Sequence, residues 1–159
     1  MRQPRDHRYS VGVAWTGNTG EGTAGYRKFA RDHRVVVADK PVIEASADPA
    51  FVGDPARWNP EELLVASLAQ CHMLTYLAQC SLRRVTVVAY RDAAEGLMRE
   101  SGGVGEFVEV TLNPVVEVAD ASMIDVASAL HEDAHRDCFI ARSVSFPVRH
   151  LPTVTVAGS

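Results

Sequence analysis

The sequence predicts an α+β domain, in which short strands surround one long apolar helix and a second helix follows later. Residues 63–79 contain neither Pro nor Gly and are apolar on nearly every helical face. Alternating apolar and polar residues precede and follow this segment, as expected for strands. Residues 121–136 place Met123, Val126, Ala127 and Leu130 at helical spacing. Strands on both sides of a buried helix, with another helix near the end, are typical of an α+β fold.

Length and composition limit the possible functions. The 159 residues suit a single domain, 1–159, that is large enough to bury a core. The net charge is −4 and no basic stripe stands out, so we expect no nucleic-acid partner. The polar first residues and the lack of a run of about 20 apolar residues predict a cytoplasmic protein without a membrane partner. Three cysteines do not suggest a secreted disulfide framework.

The segments before the long helix are predicted as strands and turns. One side of residues 9–15 carries Tyr9, Val11, Val13 and Trp15, which is a strand pattern. The other expected elements are a turn over 17–25, short strands over 26–30 and 34–38, and an ordered loop over 46–58.

The start of the long helix is the clearest local signal. Asn59 is a good N-cap, Pro60 suits the first helical position, and Glu62 lies three residues after the cap. Because the residues that follow are apolar nearly all round, we expect a central, buried helix. The expected elements after it are strands over 84–92, from about Leu97, over 107–118 and over 144–156, with the helix 121–136 between the last two. Pro114 indicates an edge or a bulge in its strand.

Two patterns resemble ligand sites. Residues 20–25 match GxGxxG, but no helix follows that could cross back over a sheet, so a Gly-rich turn is favoured over a nucleotide site. His131, His135 and Cys138 share one helix face and could supply three zinc ligands. The alternative for these three is a solvated polar face, since charged residues surround them and no fourth ligand is apparent.

The three cysteines have two possible interpretations: they are inert buried thiols, or some of them carry out redox chemistry. Cys71 and Cys80 lie nine residues apart on one helix and face opposite ways, so they cannot pair. An intrachain partner of Cys71 would therefore be Cys138, and Cys80 is interpreted as a core or bystander residue.

A reactive Cys71 would need a cation near it. Thiols attack as thiolates, and Cys71 lies about three turns from the helix start, beyond the reach of the helix dipole. An arginine held by a carboxylate is the best candidate. Asp133 and Asp137 would raise the pKa of Cys138, which suits a resolving thiol.

The helix start, Asn59-Pro60-Glu61-Glu62-Leu63-Leu64, together with Cys71 resembles the OsmC/Ohr family. The family motif places its peroxidatic cysteine ten residues after the first Glu, as Cys71 follows Glu61. Cys138 matches the family's second cysteine beside a late helix. The likeness extends from the first strand to about Val148, and residues 46–51 and 71–74 resemble an OsmC-like subgroup.

This resemblance implies a thiol peroxidase that reduces organic hydroperoxides without a metal, flavin or haem cofactor. Cys71 would be peroxidatic, Cys138 resolving, and Glu61 would orient the active-site arginine. Arg31 is our choice for that arginine, and Arg57 is the alternative. A dithiol, by family likeness a lipoylated protein, would reduce the resulting Cys71–Cys138 disulfide.

The family fold implied is an intertwined homodimer, with antiparallel sheets packed around a buried central helix and the active sites at the subunit interface. Glu61 lies about 15 Å along the helix axis from Cys71, so the two share a site only if the helix bends or the Glu comes from the partner. Phe139 stands where the family often has Pro. Two other hypotheses remain: a non-enzymatic protein binding a small ligand or a metal, and a structural dimer with inert thiols.

Overall fold

The computed structural model describes residues 5–158 as two compact units, the first ending at Leu63 and the second beginning at Leu64. The first unit holds one antiparallel sheet in the order β1 (Gly12–Trp15), β2 (His33–Val36) and β3 (Ile43–Ala45). A short 3₁₀ turn over Pro49–Phe51 lies in the loop that follows. The single-domain assignment stays a prediction.

The first unit confirms two of the three predicted strands. Residues 9–15 and 34–38 contain β1 and β2, whereas residues 26–30 form turns and bends instead of a strand. The reason is local bonding within this segment. The Arg31 side chain donates to the carbonyl oxygens of Phe29 (2.6 Å) and Tyr26 (2.7 Å), so the chain curls around the guanidinium.

Helix α1 (Pro60–Leu82) begins where the sequence predicts. The Asn59 side chain accepts a hydrogen bond from the Glu62 amide (2.8 Å), and the Glu62 carboxylate accepts one from the Asn59 amide (3.2 Å). This reciprocal pair is a capping box, which satisfies amides that no helical carbonyl can reach. At the other end, Arg84 has φ 58° and the Val85 amide donates to the Cys80 carbonyl, a left-handed helix stop.

Burial of α1 is narrower than predicted. Its fully buried side chains form one stripe of every fourth residue: Leu68, His72, Tyr76 and Cys80. Most others are half-buried, and Leu74 and Leu82 are 60% and 78% exposed. The single chain therefore fully buries one stripe of this helix, although the helix is apolar on nearly every side.

By length and composition alone α1 could also cross a membrane, since an 18-residue window reaches a mean hydropathy of 1.2. By this criterion of length and composition, the prediction that no segment approaches a membrane span is wrong. The core helix of a soluble protein passes the same test. The buried stripe of α1 packs against strands and α2 of its own chain, as a core helix does.

The second unit holds most of α1, two three-stranded sheets and helix α2 (Ile124–Asp137). One sheet has the order β4-β7-β9 and the other β5-β6-β8. Their strands are β4 (Val87–Asp92), β5 (Glu95–Ser101), β6 (Val104–Leu112), β7 (Pro114–Val118), β8 (Val148–His150) and β9 (Thr153–Val156). The central strand of each sheet pairs with one antiparallel and one parallel neighbour, so the antiparallel prediction holds fully only for the first unit.

Two predicted long strands are each divided between these sheets. Residues 107–118 break at Asn113, whose amide donates to the Asp92 carboxylate (2.7 Å) and whose side chain donates to the Ala93 carbonyl (2.9 Å). Residues 144–156 break between β8 and β9, where Leu151 and the amide-less Pro152 lie. The Leu151 amide donates to the Leu112 carbonyl oxygen, so the two breaks lie side by side in the fold.

Two apolar clusters hold the helices on these sheets. One joins Tyr76 and Cys80 of α1 to β7 and to the Ala127, Leu130 and Ala134 face of α2. The other joins Leu68 to Val110 and Leu112 of β6. Helix α1 therefore contacts both sheets, and Cys71 lies between the two clusters along the helix.

Candidate functional site

The structure brings the two predicted redox cysteines together within one chain. Cys71 is half-buried on α1, and Cys138 is 1% exposed at the C-cap of α2. The cap is extended (φ −71°, ψ 112°), because the chain leaves the helix there. Both thiols are free, and they are hydrogen-bonded to each other.

Burial makes Cys138 a poor acid. It raises the pKa of the Cys138 thiol to about 11, and the hydrogen bond with Cys71 adds to the rise. The backbone amides of Ala141 and Ile140 act in the opposite direction by donating to the sulfur.

The predicted direction of the Cys138 pKa shift is right, but the predicted cause is wrong. Asp133 pairs with Arg136 at 2.8 Å. Asp137 accepts from Gln79 of α1 at 3.0 Å and also contacts Arg136 at 3.3 Å. Neither carboxylate is among the groups that shift the pKa of Cys138, and loss of solvation is the largest cause.

A cluster of histidines joins His131 and His135, which the sequence analysis singled out, to His72 and His150, which it missed. His72, which follows Cys71, and His131 of α2 are joined by a hydrogen bond of 3.0 Å between Nε2 and Nδ1. Both rings are at most 1% exposed. The Tyr76 ring stacks on His131 with centroids 3.9 Å apart. His150 of β8 lies 5.5 Å from His72 and 5.1 Å from His135, ring centre to ring centre.

The His72 and His131 imidazoles are neutral at pH 7. Burial lowers the pKa of His72 to about 4 and that of His131 to about 3, and neighbouring histidines lower both further. His72 Nδ1, His131 Nε2 and His135 Nδ1 are buried without a hydrogen-bond partner. The interpretation of residues 131–138 as a solvated face is therefore wrong, because His131 and Cys138 are core residues.

The metal hypothesis gains no support. Among residues 5–158, no group of three or more His, Cys, Asp or Glu side chains is arranged to hold a metal ion. One nitrogen of His131 is occupied by His72, and Cys138 is engaged with Cys71.

The third cysteine belongs to the core. Cys80 is 1% exposed and packs with Tyr76 and Val116. Burial raises the pKa of its thiol. This placement agrees with its interpretation as a packing residue.

The candidate arginines lie in the first unit, in different surroundings. Within the part of the chain that the structure describes, Arg31 forms no ion pair. Its guanidinium lies 4.4 Å from the Tyr26 ring centre and 4.1 Å from that of Phe29. Arg57 instead contacts the carboxylates of Glu44 (2.9 Å), Asp54 (3.4 Å) and Asp32 (3.5 Å).

Glu61, the predicted orienting carboxylate, is half-buried in the first turn of α1. Its Oε2 is buried without a hydrogen-bond partner, and it forms no ion pair with any residue from 5 to 158. The structure therefore does not pair Glu61 with Arg31 or with Arg57.

Two thiols in contact, one of them half-buried and the other enclosed, can be joined by oxidation without bringing distant segments together. The helix-borne sulfur is the more accessible one. The arrangement is chemically suited to reversible dithiol–disulfide conversion.

Comparison with known proteins identifies a family. The sequence pattern of the family described as OsmC-like protein matches residues 53–150. An uncharacterized protein of Bacillus subtilis (strain 168), YmaD, is 25% identical over 142 residues, which is 87% of each chain.

Solved structures show the same fold. An OsmC-like protein of unknown function from Vibrio cholerae is 31% identical, with a TM-score of 0.82, over 93% of this chain and 100% of its own. A Legionella pneumophila structure is described as an organic hydroperoxide resistance protein OsmC, predicted redox protein, regulator of sulfide bond formation. It is 16% identical, with a TM-score of 0.66, over 95% of this chain and 100% of its own.

Proposed function

Because this chain belongs to the OsmC-like protein family, we propose that it is a thiol-dependent peroxidase that reduces organic hydroperoxides to alcohols. The observation that carries the proposal is the contact between the Cys71 and Cys138 thiols within one chain. The unequal burial of the two sulfurs supports different roles for them.

Cys71 makes the first attack. Its thiolate sulfur bonds to the distal oxygen of ROOH, the O–O bond breaks, and the alkoxide takes up a proton and leaves as ROH. The sulfur is oxidised to a sulfenic acid while the peroxide is reduced.

Cys138 resolves the sulfenic acid. Its sulfur attacks the Cys71 sulfur, the S–O bond breaks, and the disulfide forms with release of water. Because the pKa of Cys138 is raised to about 11, its thiol still carries the proton that the departing hydroxide needs. An external dithiol then reduces the disulfide, and a protein-bound dihydrolipoyl group is our candidate.

Arg31 is our candidate for the cation that holds the hydroperoxide and favours the Cys71 thiolate. Its charge is not compensated by a carboxylate among the described residues, whereas Arg57 faces three. Glu61 would complete the arrangement, from this chain or from a partner in a homodimer. The unpartnered Oε2 of Glu61 is available for such a contact.

The experiment adds cumene hydroperoxide to the reduced protein and maps the products by mass spectrometry. We expect rapid loss of two thiols per chain and a disulfide between Cys71 and Cys138. Cys80→Ser is the matched control, because it removes the third thiol and should leave this disulfide unchanged. Retention of all three thiols under excess hydroperoxide would reject the proposal.

A further inference from the structure

The two helices that carry the cysteines are joined by a buried hydrogen bond between imidazoles. His72 Nε2 on α1 lies 3.0 Å from His131 Nδ1 on α2, so one ring donates and the other accepts. The rings are nearly parallel, with an interplanar angle of 10°. The Tyr76 ring, stacked on His131 at 3.9 Å, restricts the orientation of that imidazole.

This bond links the two helices close to the dithiol in sequence, directly beside it on α1 and farther from it on α2. His72 directly follows Cys71, and His131 precedes Cys138 on α2 by about two helical turns. A second link between the helices, from Gln79 to Asp137 at 3.0 Å, is only half-buried. Of these two polar links between the helices, the imidazole bond is the one that is fully buried.

Two apolar side chains in place of His72 and His131 would leave fewer buried polar atoms without hydrogen-bond partners. His72 Nδ1 and His131 Nε2 remain buried without partners, which is unfavourable for folding. A hydrogen bond, however, is directional and fixes one relative placement of the helices, whereas apolar contacts tolerate sliding. The arrangement favours precision of placement over stability.

We propose that His72 and His131 are positioning residues for the dithiol, and that their hydrogen bond keeps Cys138 in contact with Cys71 so that the disulfide closes readily. This inference rests on the proposed function and names two residues that act through the cysteines. Precise placement raises the effective concentration of one thiol at the other. Loss of the bond then lowers that effective concentration without removing either sulfur.

The test measures the equilibrium of the Cys71–Cys138 disulfide in buffers of reduced and oxidised glutathione, by acid quenching and mass spectrometry. We expect His72→Leu and His131→Leu each to lower the effective concentration by about tenfold, as for one lost hydrogen bond. His135→Leu is the matched control, because it removes an imidazole from the same helix but not the bond between the helices. It should stay within about threefold of the wild type.

Amide substitutions separate position from polarity, and they serve if a leucine variant fails to fold. Gln places a polar atom near the Nε2 position of histidine, and Asn places one near Nδ1. His72→Gln and His131→Asn should therefore retain the wild-type equilibrium, whereas His72→Asn and His131→Gln should lose it. Far-UV circular dichroism and cooperative unfolding select the folded variants.

The proposal fails if folded leucine variants, or both kinds of amide variant, close the disulfide as readily as the wild type. It also fails if His135→Leu is equally impaired, or if the wild type forms no such disulfide in glutathione. The proposed peroxidase function is judged separately by hydroperoxide consumption. A protein that closes the disulfide with glutathione but ignores hydroperoxides would refute the function and leave the positioning role intact.

Discussion

At the scale of single residues, two identical side chains acquire different chemistry from their surroundings. Cys138 is enclosed and its pKa is raised to about 11, whereas Cys71 is partly open to solvent. Desolvation opposes the thiolate, so the enclosed sulfur keeps its proton at neutral pH. This difference supports the proposed order of events, in which Cys71 makes the first attack on a peroxide.

Serine substitutions should separate the two roles. We expect Cys71→Ser to reduce hydroperoxide turnover by about 100-fold or more, because no nucleophilic sulfur remains. Cys138→Ser should instead consume about one equivalent of hydroperoxide and accumulate a sulfenic acid that dimedone traps. Mass spectrometry of the labelled protein checks both, with Cys80→Ser as the unaffected control. A dimedone adduct on Cys138 in the Cys71→Ser protein would reverse the assignment.

Substitutions of Arg31 and Arg57 should have different effects, the first on the reactivity of Cys71 and the second on stability. In its proposed role Arg31 is the cation that stabilises the Cys71 thiolate, so Arg31→Ala should slow alkylation of Cys71 by iodoacetamide at pH 7 by about tenfold. Arg31→Lys should restore part of the rate. Arg57→Ala should leave this rate unchanged and lower thermal stability, since it leaves three neighbouring carboxylates without their cation. The opposite pattern would make Arg57 the active-site cation.

The sequence predicted the sulfurs of the site but not their surroundings. Helical phase excludes Cys80 as a partner of Cys71, and family likeness points to Cys138. The bond between His72 and His131, however, joins residues 59 positions apart, so no local pattern indicates it. Polar neighbours of His131 suggested exposure, yet the ring is fully buried because α1 and Tyr76 cover it.

At the scale of elements, local bonding explains which boundaries were predictable. The cap of α1 depends on residues three positions apart, and the sequence places it correctly. The division of residues 107–118 into β6 and β7 depends on Asp92, about 20 positions away. The alternation of apolar residues continues through that break, so pattern alone predicts one strand.

The α1 cap should contribute measurably to stability. Asn59 is 5% exposed, and its side chain accepts the Glu62 amide at 2.8 Å. Asn59→Ala should therefore lower the free energy of unfolding by about 1 kcal/mol, because that amide loses its partner. Urea unfolding at pH 8 measures this change. Gln70→Ala, at an exposed site within the helix, is the control and should change stability by less than about 0.5 kcal/mol.

At the scale of the whole molecule, the buried histidines couple folding to pH. In the folded state the pKa of His72 is about 4 and that of His131 about 3, both below the value of about 6.5 for an unfolded chain. Below pH 6.5 these two histidines bind protons in the unfolded chain but not in the folded chain. Stability is therefore fully present above pH 6.5 and is lost as the pH falls towards 4.

This coupling predicts a loss of about 2 kcal/mol for each of these two histidines between pH 8 and pH 5. Urea unfolding across that range measures the loss. The variant with both His72→Leu and His131→Leu should show a flatter profile, and an unchanged slope would contradict the assignment. The His72 and His131 rings face His150 of β8 and Tyr76 of α1, and His150 in turn contacts His135 and Glu132 of α2.

The exposed apolar surface of the single chain predicts a homodimer. Tyr9 and Val11, which precede β1, and Val13 and Trp15 within it are 90%, 57%, 68% and 45% exposed. Large apolar side chains concentrated and exposed in this way are unfavourable in water and indicate a covered surface. Half-buried positions along α1 add to the area available for a partner.

Sedimentation equilibrium should therefore give twice the mass of one chain for the wild type. Val11→Asp combined with Val13→Asp should shift the protein towards the monomer, because two carboxylates cannot be buried in an apolar contact without a large desolvation penalty. Val104→Asp, at an exposed valine where β6 begins, is the matched control and should remain dimeric. A monomeric wild type would confine the proposed roles of Glu61 and Arg31 to their own chain, whereas a dimer allows either residue to serve the partner's cysteines.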